Sequence, residues 1–246
     1  MNGWLAPKYA EWLARGFLTT LTLSGCVIVT ATLAGFVLAL ALDPRIVRNH
    51  AVARGAASYV LVFRNSPLLV QLLFWYFGAA TLLPPNWMGW LNSAHSFNLG
   101  PITLTWPSFE FVAAWVGLTC YSATFIGEEF RAGIRGVKPA QYQAAAALGL
   151  TPFAIFRYVI LPQALRIATP PLAGQYMNIV KNSSLAMAIG LAELSYTSRQ
   201  VDTETFKTFQ AFGAATVLYI VTIAAIEAML LVLKRRGAPG WHGEQA

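Results

Sequence analysis

Between Arg15 and Asp43 the chain runs 27 residues without a charge, GFLTTLTLSGCVIVTATLAGFVLALAL. No other feature narrows the possible folds as much. A helix needs roughly 20 apolar residues to cross about 30 Å of hydrocarbon, and a backbone is stable there only when its polar groups are satisfied internally. The stretch reads as a first membrane span. A cleaved signal peptide is the competing reading, because Ala39, Leu40 and Ala41 mimic an A-x-A site. Signal h-regions, however, run only roughly 7 to 15 residues.

Four further spans follow: a second at about 66–83, a third at about 109–127, a fourth at about 162–192 and a fifth at about 211–233. The fourth is expected to be broken, because Arg166, Pro170, Pro171, Gly174 and Lys181 interrupt its apolar pattern. Composition agrees with a membrane protein, since 57% of residues are hydrophobic and only 11% charged, against roughly 25% charged in soluble domains. The net charge of +7 falls in short clusters between apolar spans. It does not line one polar face as in a nucleic-acid binder, so no nucleic-acid partner is expected and membrane lipid is. Cys26 and Cys120 lie inside apolar spans at no metal-ligand spacing, and no metal site or disulfide framework is expected.

Orientation follows from Lys and Arg, which are enriched in cytoplasmic loops. One side collects twelve: Arg45, Arg48, Arg54, Arg64, Arg131, Arg135, Lys138, Arg157, Arg166, Lys234, Arg235 and Arg236. The other collects four: Lys8, Arg15, Arg199 and Lys207. The N-terminus is therefore expected outside and the C-terminus in the cytoplasm. Trp87, Trp90 and Trp106, in an external segment without charges, suit an interfacial aromatic belt. The expectation is an all-α, polytopic helical bundle in one domain, residues 1–246, with a core of about 16–234.

Between the third and fourth spans lies QAAAALGLTPFAIFRYVILPQ, residues 143–163. Pro139 is placed to open a helix at its first position and Gly149 to close it in a left-handed cap. Thr151 then caps a second helix, with Pro152 in its first turn and a stop near Pro162. Ala144, Ala145, Ala146 and Ala147 let another surface approach closely, while Tyr142, Leu148 and Phe153 supply apolar anchors. An ordinary hairpin folded onto its own membrane domain remains the other reading of these residues.

QAAAALG, nine residues, then VILP resembles the EAA loop of ABC-importer permeases. Around it, FRNSPLLVQLLFWYFG, EEFRAGIRGVKPAQ, LPQALRIATPPL and KNSSLAMAIGLAELS resemble the polar amino-acid uptake branch, in order and at the expected spacing. Membrane subunits of glutamate/aspartate importers are the most similar group. The resemblance implies the type I ABC importer permease fold in a bacterial inner membrane, with a cytoplasmic coupling loop at about 128–162. That loop docks on a separate ATPase dimer, and ATP and Mg bind on that partner, with no cofactor on this chain. It also implies a second permease copy or paralogue, the heterodimer favoured, and a periplasmic amino-acid-binding protein. Coupling residues carried over are Glu128 and Arg131 of the E-x-x-R pattern, Gln143, Ala144, Ala145, Gly149, Leu161 and Pro162. Gln143 stands where the loop's namesake acid is expected, which removes any ion pair made there.

The chain has no G-x-x-x-x-G-K-[ST] phosphate cradle, H-E-x-x-H or G-x-S-x-G, so it is not expected to be an enzyme. A zwitterionic amino acid needs polar partners near the midplane, and broken helices commonly supply them. Lys181, Asn182 and Ser183 follow the expected break, and Asn65, Ser66 and Gln71 are further candidates. Two readings of Lys181 stand: it faces a substrate carboxylate, or it snorkels to the outer interface. Asn65, Ser66 and Gln71 either touch ligand or join neighbouring helices by hydrogen bonds. The alternative function is an ion-gradient-driven secondary transporter or channel, with Glu227 in the fifth span as proton site. A membrane enzyme would need clustered His, Asp or Glu, and the histidines are scattered at positions 50, 95 and 242.

Overall fold

The computed structural model describes residues 5–47, 49–91, 93, 96–99, 102–105 and 107–236. Arg48, His95, Trp106 and His242, all used above, lie outside the described residues.

Helix α1 (Pro7–Ala41) begins on a first-turn proline, whose missing N–H leaves no helical bond unmade. Helix α2 (His50–Asn65) is capped by Asn49, which accepts from the Ala51 N–H at 2.9 Å. Next come α3 (Leu68–Leu73), a π turn (Phe74–Gly78) and α4 (Ala79–Leu82) as one continuous rod. The rod meets α2 at 106°. The bend is local chemistry, since Pro67 disfavours helical backbone in the residue before it and Ser66 is extended at φ −97, ψ 142. The sequence reading treated 45–64 as a connection, and most of it is helix.

The segment before the third expected span forms α5 (Pro85–Leu91) and an antiparallel pair, β1 (Ser96–Leu99) and β2 (Ile102–Thr105), with Ser96 opposite Thr105. This two-stranded hairpin is the one departure from an all-helical fold among the described residues. Trp87 and Trp90 on α5 are exposed. Helix α6 (Phe109–Gly136) follows its Ser108 cap. The remainder is α7 (Pro139–Ala147), α8 (Pro152–Ala154), a π turn (Ile155–Ile160), α9 (Leu161–Asn182), a 3-10 turn (Ser183–Ile189), α10 (Leu194–Thr205) and α11 (Thr208–Arg236).

Three helices, α1, α6 and α11, are long and apolar enough to cross a membrane, and α2 with the 68–82 rod would make a fourth. The expected count of five is not reached on these grounds. Helix α9 has the length, 22 residues or about 33 Å at 1.5 Å per residue. Its Gln163, Arg166, Gln175, Asn178 and Lys181 keep it less apolar than the others.

The fourth segment is also not broken where expected. Helix α9 runs unbroken through Pro170 and Pro171, and Pro162 lies in its first turn and does not end the preceding helix. The π turn at Ile155–Ile160 shifts the bonding register just before Pro162, where an α-helical ladder would need the missing N–H. Pro170 and Pro171 leave the carbonyls of Arg166 and Ile167 without their usual donors, yet packing of α9 along α6 holds the rod. The true break comes later, in the 3-10 turn and at Gly190, which has φ +86.

Helix α6 is the centre of the bundle. Leu118, Ala123 and Ile126 on it are enclosed with Leu23, Val27 and Ala31 of α1 and Leu72 of α3. Small residues at helical spacing let α1 come close, the usual device where apolar lipid supplies no drive for helix association. Helix α11 buries only Ala211 and Ala215 among its described side chains, and Val217, Ile220, Val221 and Met229 are exposed.

Candidate functional site

The hairpin between α6 and α9 forms as its local chemistry dictates. Pro139 opens α7. The helix ends with the Gly149 N–H on the Ala146 carbonyl at 2.9 Å and the Leu150 N–H on the Ala145 carbonyl at 3.3 Å, the paired bonds of a Schellman cap. Gly149 has φ +77, a conformation that costs an L-residue roughly 1–2 kcal/mol. Thr151 then accepts from the Ala154 N–H at 3.3 Å, with Pro152 in the first turn.

Four successive alanines do not all face outward. Ala145 is 5% exposed and packs in a cluster with Ile155 and Ile160 of the hairpin, Ile134 and Val137 at the end of α6, and Ala164 of α9. It is therefore a core residue of the hairpin and cannot itself be a docking contact. Gln143, Ala144, Gly149 and Pro162 are exposed and Leu161 is half-buried. Leu148 at 81% and Phe153 at 76% are bare. From residue 130 to residue 192 there is no Asp or Glu, so the hairpin's own charges, Lys138 and Arg157, are both positive.

Behind the hairpin, Glu128 accepts from Arg131 at 2.6 Å and lies 3.8 Å from Arg135. Arg64, Asn65, Glu128 and Arg131 border one cleft of about 450 Å³ between α2 and α6. Two groups of residues that the sequence kept apart are thus neighbours. In the turn after α1, Asp43 accepts from Arg45 Nε at 3.0 Å and Nη2 at 2.8 Å. Burial pushes the Asp43 carboxyl up, but the Arg45 bonds and charge, with that of Arg131, outweigh it and hold the carboxyl below its ordinary value. Arg45 is raised in return by its bond to Asp43.

Asn65 and Ser66 donate to the Leu61 and Val62 carbonyls of their own helix, each at 2.8 Å. Gln71 is 6% exposed, and its Nε2 donates to the Phe63 carbonyl and to Ser66 Oγ, both at 2.8 Å. It repairs the backbone at the α2 bend, the helix-joining reading. Ser183 is fully buried and donates to the Val180 carbonyl at 2.8 Å, so its hydroxyl is closed to a ligand. Lys181 is exposed, and Asn182 is half-buried. Asn182 borders a second cleft of about 430 Å³ with Tyr121, Ser122, Phe125, Gln175 and Asn178. Gln175 also donates to Glu129 of α6 at 3.0 Å. Two aromatics, a serine and three amides are thus gathered on the facing sides of α6 and α9, where a polar solute can exchange water for hydrogen bonds.

Sequence reasoning singled out Glu227, which is exposed on α11, and passed over Glu193. Glu193 is fully buried. It accepts from the N–H groups of Ser195 at 3.0 Å and Tyr196 at 2.8 Å, from Tyr219 Oη at 3.0 Å and from Thr20 Oγ1 at 3.4 Å. It caps α10 and binds that helix to α1 and α11. Glutamate is not among the strongly preferred N-cap residues, so residue type alone carries no cap signal at Glu193.

Residues 31–237 match the family described as "Binding-protein-dependent transport system inner membrane component". The chain is 31% identical to the glutamate/aspartate import permease protein GltJ of Escherichia coli K12, over 93% of this chain and 88% of that one. It is also 31% identical to the general L-amino acid transport system permease protein AapQ of Rhizobium johnstonii, over 76% of this chain and 66% of the relative. The solved "amino acid ABC transporter with histidines" superposes with a TM-score of 0.76 at 28% identity, over 93% of this chain and 95% of that chain.

Proposed function

Because this chain belongs to the family of binding-protein-dependent transport system inner membrane components, as a multi-pass permease of an amino-acid ABC importer, we propose that it carries glutamate and aspartate inward beside a paralogous permease. A permease of this kind works with ATPase subunits, a binding protein and a second permease. In this reading ATP and Mg sit on the ATPase, the hairpin at 138–160 faces the cytoplasm and the N-terminus lies outside. The likeness to GltJ supports the acidic substrates.

One observation carries the coupling role: the hairpin is rigidly built yet leaves Leu148 and Phe153 bare. Its core of Ala145, Ile155 and Ile160 includes Ile134 of α6 and Ala164 of α9. A push on α7 therefore reaches both helices that wall the amide-lined cleft. Packed interiors transmit such displacement because they do not compress. The cleft of Tyr121, Gln175, Asn178 and Asn182 is this subunit's share of the path, completed by the facing permease.

Uptake of labelled aspartate into vesicles holding the full complex is the test. Unlabelled glutamate is expected to compete and unlabelled arginine or leucine not to; the reverse pattern overturns the substrate. Leu148→Glu with Phe153→Glu is expected to leave the permease folded and abolish uptake while the ATPase continues to turn over. Parental uptake by that variant overturns the docking role.

A further inference from the structure

The turn at 43–47 and the hairpin enclose a cleft of about 240 Å³. Pockets for whole small molecules run roughly 300–1,000 Å³, so this space suits one large side chain. Ile46, Phe153, Phe156 and Ile160 make it apolar. Arg45 stands at its edge with its side chain 52% exposed, beside an Asp43 that is 8% exposed. Nε and Nη2 are bound to the Asp43 carboxylate, and Nη1 has no acceptor among the described residues. The guanidinium is therefore fixed in place with one edge free, a prepared donor for an incoming carboxylate.

We propose that this cleft is a second seat for the ATPase subunit, taking one aromatic or large aliphatic side chain of that subunit with a neighbouring carboxylate received by Arg45. The proposal rests on the coupling function above. It is favoured over a lipid by the continuity of the cleft with the hairpin that carries the coupling role, whose Phe153 is bare and lines it. Charge agrees: the hairpin's own charges, Lys138 and Arg157, are positive, with no acid from residue 130 to residue 192, and Asp43 is already paired with Arg45, so a matching partner surface is acidic. Through this seat the ATPase would grip the end of α1 as well as α7, and closure would move α1 together with α6 and α9.

The test uses the full chain in a Cys26→Ala, Cys120→Ala background, carrying either Ile46→Cys or Leu148→Cys, with a membrane-impermeant maleimide as probe. Labelling is followed with and without the ATPase subunit, in detergent and in vesicles with and without anionic phospholipid. Both positions are expected to be shielded at least fivefold by the ATPase, and Arg45→Glu is expected to abolish shielding at Ile46→Cys while Leu148→Cys stays shielded. Shielding at Leu148→Cys alone overturns the second seat and leaves the coupling function standing. Shielding at neither position overturns both. Shielding at Ile46→Cys by anionic vesicles without ATPase assigns the cleft to lipid and overturns the proposal. Retention of Arg45→Glu in the membrane at parental level, with Leu148→Cys still shielded, separates loss of the seat from misfolding.

Discussion

Gly35 and Gly127 meet backbone against backbone where α1 crosses α6. A methyl group on Gly35 would lie 2.9 Å from the Gly127 nitrogen and 2.7 Å from Ile126 Cγ2, so only a residue without Cβ allows the helices to close. Overpacking of this kind costs roughly 1–3 kcal/mol. Gly35→Val is expected to lower the thermal unfolding midpoint of the purified chain, and an unchanged midpoint would contradict the crossing.

Neighbouring alanines of the hairpin are expected to behave oppositely. Ala145→Leu forces a larger side chain into the core with Ile155 and Ile160 and is expected to loosen the hairpin, seen as faster amide exchange over 138–160. Ala144→Leu, on the exposed side, is expected to leave exchange unchanged and lower transport-coupled ATP hydrolysis. Equal exchange in the two variants would show that Ala145 is not in the core.

Removing Glu193 strands buried donors. Glu193→Ala leaves the N–H groups of Ser195 and Tyr196 without their side-chain acceptor and Tyr219 with Ser195 Oγ at 3.1 Å as its remaining partner, and each unsatisfied group costs about 1–3 kcal/mol. The variant is expected to be poorly retained in the membrane, whereas Tyr219→Phe, which removes one donor only, is expected to be milder. The ranking is read from unfolding in increasing denaturant.

Acid is expected to weaken the turn after α1. The Asp43 carboxyl titrates below its ordinary 3.8 in the folded chain, so its ionised form contributes stability that is fully present above that value. The contribution is lost as pH falls through the lowered folded value. The stability gap between the parent and Asp43→Asn is expected to be constant above about pH 5 and to shrink below about pH 4. A gap that instead widens in acid would mean the carboxyl is not held low.

Gln175→Leu takes the donor from Glu129 and one amide from the cleft between α6 and α9. Loss of about 1 kcal/mol per hydrogen bond predicts a roughly fivefold fall in kcat/KM for labelled aspartate with the fold intact. Parental kinetics would remove this cleft from the path.

The hairpin was legible because its signals are local. Pro139, Gly149, Thr151 and Pro152 each act within a few residues of backbone, and all four sit where their chemistry places them. Pro162, Pro170 and Pro171 misled because a proline's effect depends on surroundings: a π turn absorbs the first, and α6 supports the helix through the others. Asn65, Ser66, Gln71 and Ser183 showed their residue type but not their partners, which turn out to be backbone carbonyls. Glu193 was passed over because its worth lies in Thr20 and Tyr219, 173 and 26 residues away.

The amino-acid order alone determined that this chain enters a membrane, where its longest apolar stretch lies, and that a short helical hairpin interrupts the spans. Those properties depend on hydrophobic length and on turn chemistry, both readable within a window of tens of residues. Tertiary structure decided which alanine is core and which is surface, where the fourth segment breaks, and which polar side chains share a cleft. Such outcomes depend on what lies across the gap between two helices, and a contact between distant segments leaves no mark in either one.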